Sequence, residues 1–227
     1  DLHRPNRRQR QMCMRDRYFS FILFTFSIIS FSEPRLGKDF FLLNDPLPVK
    51  QDGIVEVTEV FWYGCGHCYA MESKFKSWNK TQPDYVNFQK MPVTWGPVHK
   101  VHANIFYTIE AMQQKNDLHA AVFSAIHNER NFLSSDVVAE RYFAKMGVDI
   151  DTFQKYFNSF GVKQRVSRAD KLSKQFEVTS VPMIIVDGKY KILAKPSHEE
   201  TFEVLDYVIN LQTVSYTHLT LPTIRSV

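Results

Sequence analysis

The chain has 227 residues, 44% hydrophobic and 23% charged, which is ordinary globular usage and excludes a disordered chain, a collagen-like repeat and a multi-span membrane protein. The formal charge of +4 comes from the ends: residues 1–32 carry six Arg against Asp1 and Asp16, residues 214–227 carry Arg225, and residues 33–213 hold 21 basic against 22 acidic side chains. A near-neutral body implies no nucleic-acid partner.

Residues 18–32 (YFSFILFTFSIISFS) are fifteen positions without a charge. That is short of the roughly 20 that a membrane-spanning helix needs. Arg15 and Arg17 precede the run, and Ser30 and Ser32 close it at signal-peptidase spacing, so the pattern predicts a secretory signal peptide. An N-terminal anchor is the alternative, and either sends the body out of the cytoplasm. Residues 214–227 (VSYTHLTLPTIRSV) resemble the translation of a sequencing adapter, and residues 11–17 (QMCMRDR) that of its opposite strand. The tail lacks a helical period, and Pro222 would interrupt any extension of a preceding helix. On that reading Cys13 is foreign to the fold.

The body opens with an apolar run at 40–43, expected as an edge strand before a Pro-containing loop. Residues 54–63 (IVEVTEVFWY) are β-branched and aromatic, which predicts a buried central strand. Tyr69, Met71, Phe75 and Trp78 recur at helical spacing, and residues 86–93 (VNFQKMPV) alternate as a second strand, completing a β-α-β unit. From 98 to 176 the period is helical in five amphipathic segments, with Gly147 and Gly161 where helices are expected to stop. Residues 183–193 then read as two short strands joined by Asp187-Gly188, a strong hairpin signal. Ser197 and Glu200 are spaced as a capping box that opens a last helix through Asn210. The predicted fold class is α/β, with a small sheet from residues 33–96 and 177–213 around an inserted α-helical domain at 97–176.

Cys65, Gly66, His67 and Cys68 form a C-x-x-C motif where a strand becomes a helix. Residues three apart on a first helical turn share a face, so the two sulfurs can pair or separate with little backbone motion. The positive end of the helix favours a thiolate at Cys65, and His67 can add charge or a hydrogen bond. A stabilised thiolate is a good leaving group, which makes the disulfide oxidising. A structural disulfide is the poorer reading, because so small a loop constrains little of the unfolded chain. A zinc site needs about four ligands. His67 and the two cysteines supply at most three, and His99 and His102, spaced i, i+3, are expected on a solvated helix face. Glu59 falls mid-strand, six residues before Cys65, where a buried carboxylate is costly unless it has a role or a partner. Placed beneath the dithiol it could relay a proton; strand alternation towards solvent is the alternative. Val181-Pro182 directly precedes the 183–186 strand, a position that tolerates proline.

FWYGCGHCYAMES, the helical stretches AVFSAIHNER and YFNSFGVK, and VTSVPMIIVDGKYKI resemble the DsbA family of periplasmic thiol:disulfide interchange proteins, over residues 37–210. The resemblance implies a thioredoxin fold with an inserted α-helical domain and the activity of a protein dithiol oxidase. It implies Cys65 as nucleophile, Cys68 as resolving thiol, Glu59 as buried acid, and Val181-Pro182 as a cis-proline loop facing the dithiol. Gly66 and His67, with that loop, would meet substrate. No metal and no cofactor beyond the Cys65–Cys68 redox-active disulfide is expected. The implied partners are unfolded secreted proteins with free thiols and a membrane quinone-linked reoxidising protein of the DsbB type, with this chain a monomer in the periplasm. Many members carry Pro-His between the cysteines. Gly66-His67 is also the dipeptide of protein disulfide isomerases, and glycine permits a looser helix start. An isomerase or reductase using the same site, and a non-catalytic thioredoxin-like chaperone or metal-binding module, are the other readings.

Overall fold

The computed structural model describes residues 33–219 except 49, 51 and 114–116. The leader, Cys13 and residues 220–227 lie outside the described residues. Five strands form one sheet in the order β1-β5-β4-β2-β3: β1 is Phe41–Leu42, β2 Val55–Phe61, β3 Val86–Pro92, β4 Met183–Val186 and β5 Tyr190–Leu193. Among the strand pairs of the described residues, β2 and β3 run parallel, Val55 opposite Val86 through Phe61 opposite Pro92, and the others are antiparallel. The parallel pair needs a crossover. Helix α1 (Gly66–Asn79) supplies it, and its Cys68, Met71, Phe75 and Trp78 are buried at helical spacing.

Between β3 and β4 the chain inserts α2 (Pro97–Met112), α3 (Leu118–His127), α4 (Asp136–Lys145), α5 (Ile150–Phe157) and α6 (Phe160–Gln175). This is a thioredoxin fold with an inserted helical domain. One face of the sheet packs, through Val60, Met91 and Ile185, on the apolar side of that insert. On the other, Val55, Val57, Ile184 and Ile192 meet α1 and the last helix, α7 (His198–Leu219). Because both faces are covered, β4 reads as a continuous apolar run, while β2 carries Glu56, Thr58 and Glu59 among its apolar positions.

Gly161 does not stop a helix, as its sequence position had suggested. Ser159 Oγ accepts from Val162 N–H and caps α6, so Gly161 falls in the first turn. Helix α7 likewise continues past Asn210 to Leu219, because no Pro or Gly interrupts residues 211–219 and Pro222 lies beyond. At the β4–β5 hairpin Asp187 and Gly188 both have positive φ, 52° and 58°, as a two-residue type I′ turn requires. A Cβ on Gly188 would also stand 2.7 Å from Leu47.

Candidate active site

Strand β2 delivers the chain to the site, and a tight turn aims it. Cys65 N–H donates to Trp62 O at 3.0 Å, closing the turn. Cys65 is then the N-cap of α1, with extended backbone (φ −88°, ψ 117°), and its sulfur accepts from Cys68 N–H at 3.4 Å. The cap residue of a helix ordinarily offers an oxygen to these orphan donors. Here the acceptor is the reactive sulfur.

The two thiols are displaced in opposite directions. The hydrogen bond from the Cys68 side chain, then the backbone N–H groups of Cys68 and His67 and the charge of His67, outweigh burial and bring the Cys65 thiol from an ordinary 9.0 down to about 6. The same bond to Cys65, with burial, pushes Cys68 well above its ordinary range. Cys68 is fully buried, Cys65 partly exposed, and Gly66 and His67 exposed. Alkylation of the reduced chain at mildly acidic pH is therefore expected at Cys65 first, with Cys68 protected. Peptide mass mapping resolves the two; preferential labelling of Cys68 would reverse their roles.

The Val181-Pro182 peptide is cis. It places the Val181 carbonyl 3.5 Å from Cys65 Sγ, within reach of the thiol as donor. Pro182 is buried, while Val181 is partly exposed beside the dithiol.

Glu59 has no exposed surface, and neither carboxylate oxygen takes a hydrogen bond. Its strand parity is that of Val55 and Val57, the face that α1 covers, which is why it does not reach solvent. Burial dominates and raises its carboxyl from 4.5 to about 7, against the attraction of Lys90, whose Nζ lies 3.4 Å away. Lys90 is the cross-strand neighbour of Glu59 in the β2–β3 register and also pairs with Glu72 of α1. Sequence reasoning missed Lys90. The available signal was a lysine in the middle of the alternating 86–93 strand.

The two other histidines considered as ligands are used differently. His102 is fully buried in α2, not solvated, because α2 turns this face towards Trp62 and Phe132. Its Nδ1 accepts from Trp62 Nε1–H at 2.9 Å and its Nε2 lies 2.8 Å from Phe132 O, so both ring nitrogens are occupied. His99 stacks on Trp62 with ring centroids 4.4 Å apart.

A family model described as DSBA-like thioredoxin domain matches residues 99–203. The thiol:disulfide interchange protein DsbA of Pseudomonas aeruginosa is 40% identical over 175 residues, 76% of this chain and 83% of that protein. That of Azotobacter vinelandii is 34% identical over 183 residues, 80% and 86% of the two. Among solved structures, the crystal structure of Pseudomonas aeruginosa DsbA superposes with a TM-score of 0.76 at 37% identity, covering 81% of this chain and 96% of that one. The oxidoreductase DsbA from Xylella fastidiosa gives 0.73 at 27% identity, covering 80% and 98%. A dithiol at a helix end, a sheet interrupted by helices and this extent of likeness agree: the chain belongs to the DsbA family of thiol:disulfide interchange proteins.

Proposed function

We infer that this chain is a protein dithiol oxidase that introduces disulfide bonds into secreted proteins through a Cys65–Cys68 redox-active disulfide. The observation that carries the reading is the opposed displacement of the two thiols, Cys65 towards thiolate and Cys68 towards thiol. A substrate thiolate attacks Cys65 Sγ; the Cys65–Cys68 bond breaks as the mixed disulfide forms. Cys68 leaves as a thiolate and takes up a proton, for which Glu59, with its carboxyl near 7, is the candidate donor. A second substrate thiolate attacks the substrate sulfur, and Cys65 leaves as a stabilised thiolate. Two electrons pass from the substrate dithiol to the enzyme. Val181 and Pro182, with Gly66 and His67, form the surface that meets the substrate, the Val181-Pro182 segment offering backbone groups to an extended chain. The proposed setting is the periplasm, with a membrane quinone-linked partner of the DsbB type restoring the disulfide.

The test is equilibration of the full chain with glutathione, together with oxidation of a reduced, unfolded two-cysteine substrate. The oxidised chain is expected to be reduced by mild glutathione and to oxidise the substrate, Cys65→Ser to be inactive, and Cys68→Ser, given oxidised glutathione, to accumulate as the Cys65–glutathione mixed disulfide with release of one glutathione thiolate. A dithiol that stays oxidised against excess glutathione would favour the reductase reading instead.

A further inference from the structure

The residue that links strand to dithiol is held at both ends by the inserted domain. Tyr63 is fully buried, two positions before Cys65. Its hydroxyl lies 2.5 Å from His119 Nδ1, and its carbonyl oxygen 2.8 Å from His127 Nε2. Both histidines belong to α3, and with Phe123 they make a stripe at i, i+4, i+8. Phe123 packs on the Tyr63 ring at 4.9 Å, and His127 stacks on Tyr69 of α1 at 4.7 Å and 3°.

The proton assignments follow from the partners. A carbonyl only accepts, so His127 donates through Nε2–H. Glu110 Oε1 lies 2.9 Å from His119 Nε2, and a carboxylate only accepts, so Nε2–H donates there and Nδ1 is the ring nitrogen that meets the Tyr63 hydroxyl.

This grip acts on the most permissive joint in the turn. Only Gly64 stands between Tyr63 and Cys65, and a Cβ there would meet the Trp62 ring at 2.5 Å, so any larger residue would have to displace that ring. Glycine supplies no side chain to brace that joint, so its setting rests on the groups that hold its neighbours. The Trp62 carbonyl is already taken by Cys65 N–H. The Tyr63 carbonyl is the next group in the chain, and His127 of α3 donates to it.

We propose that His127, assisted by His119, is a positioning residue of the dithiol: by holding Tyr63 it fixes the turn at Gly64 so that Cys65 Sγ stays over the N-terminal amides of α1. The inserted domain thereby governs how far the Cys65 thiolate is stabilised. The proposal deepens the oxidase reading of this same site, but its test needs no substrate.

The experiment is the pH dependence of Cys65 alkylation in the reduced full chain, read by peptide mass mapping, for the wild type, H127A, H127Q and Y63F, with thermal melts alongside. H127A should move the Cys65 midpoint upward by about one unit, a roughly tenfold loss of thiolate below the midpoint. H127Q keeps an N–H donor at the same reach and should restore most of the shift. Y63F removes the hydroxyl arm alone and should move the midpoint the same way by less; it carries the test if H127A does not fold. If H127A and Y63F both lower the melting temperature but leave the titration unmoved, the stripe is packing and the proposal falls. It falls equally if H127Q behaves as H127A. If instead the titration responds as expected while the wild type oxidises no substrate, the positioning role stands and the oxidase reading is the one lost.

Discussion

Glu59→Gln is expected to make the protein more stable at pH 8 and to flatten its stability between pH 4.5 and 8. The folded carboxyl titrates near 7 against an ordinary 4.5, so the folded state holds its proton more tightly than the unfolded chain. A group raised in this way contributes its full stability below 4.5 and loses it as pH rises through 7. Two and a half units at about 1.4 kcal/mol each put the loss on the order of 3 kcal/mol. Gln keeps the shape and never ionises. The opposing effect is the lost attraction of Lys90, but that lysine still pairs with Glu72 and is not stranded. A net gain of about 1–3 kcal/mol at pH 8, and none at pH 4.5, is therefore expected from denaturant unfolding. A variant less stable than the wild type at pH 8 would mean that the Lys90 attraction exceeds the burial cost. A fully buried acid with neither oxygen hydrogen-bonded is a costly feature for folding alone, which is the physical ground for giving it work in the redox cycle.

The parts of this site that follow from local chemistry were legible in the sequence. A C-x-x-C after a β-branched run places a dithiol on the first turn of a helix, and the structure has Cys65 as the cap of α1. The switch from strand to helical period after residue 97 marks the insert, since amphipathic spacing is a local property. What stayed hidden depends on tertiary register. Lys90 meets Glu59 because two parallel strands align them 31 residues apart, and no spacing rule encodes that alignment. His119 and His127 look like polar positions of an amphipathic helix until Tyr63 is found between them. His102 looked solvated because a histidine has no strong burial preference, and only the neighbouring Trp62 and Phe132 decide its fate. Gly161 misled for a different reason: a glycine in a first turn and a glycine after a last turn look alike without the Ser159 cap geometry.

The relative stability of the reduced and oxidised forms is expected to invert with pH, the oxidised form melting higher near pH 5 and the reduced form higher near pH 8.5. Two effects compete. Closing the Cys65–Cys68 loop constrains the unfolded chain, and for so few residues the chain-entropy expression gives the oxidised form about 2 kcal/mol. In the reduced form the Cys65 thiol titrates near 6 when folded against 9.0 ordinarily. This pKa is depressed, so the thiolate contribution is complete only above 9.0 and disappears as pH falls through 6. Its ceiling is about 4 kcal/mol for three units, reduced towards 2–3 by solvent screening at a half-exposed sulfur. Cys68, displaced upward, remains a thiol in both folded and unfolded chains below 9.0 and adds nothing in this window. Glu59 is present in both redox forms, so its own pH dependence largely cancels in the difference. At pH 5 loop closure acts alone, and by pH 8.5 the thiolate contribution matches or exceeds it. The inversion also sets oxidising power. Around the cycle of folding and reduction, the excess stability of the reduced form equals the rise in potential of the folded pair over the unfolded one, about 30 mV for each 1.4 kcal/mol. Paired melts with and without reductant from pH 5 to 8.5 measure it directly. An oxidised form that melts higher by a constant margin throughout would show that Cys65 holds no stabilised thiolate, and Gly66-His67 would then mark a dithiol better suited to isomerase or reductase chemistry than to oxidation.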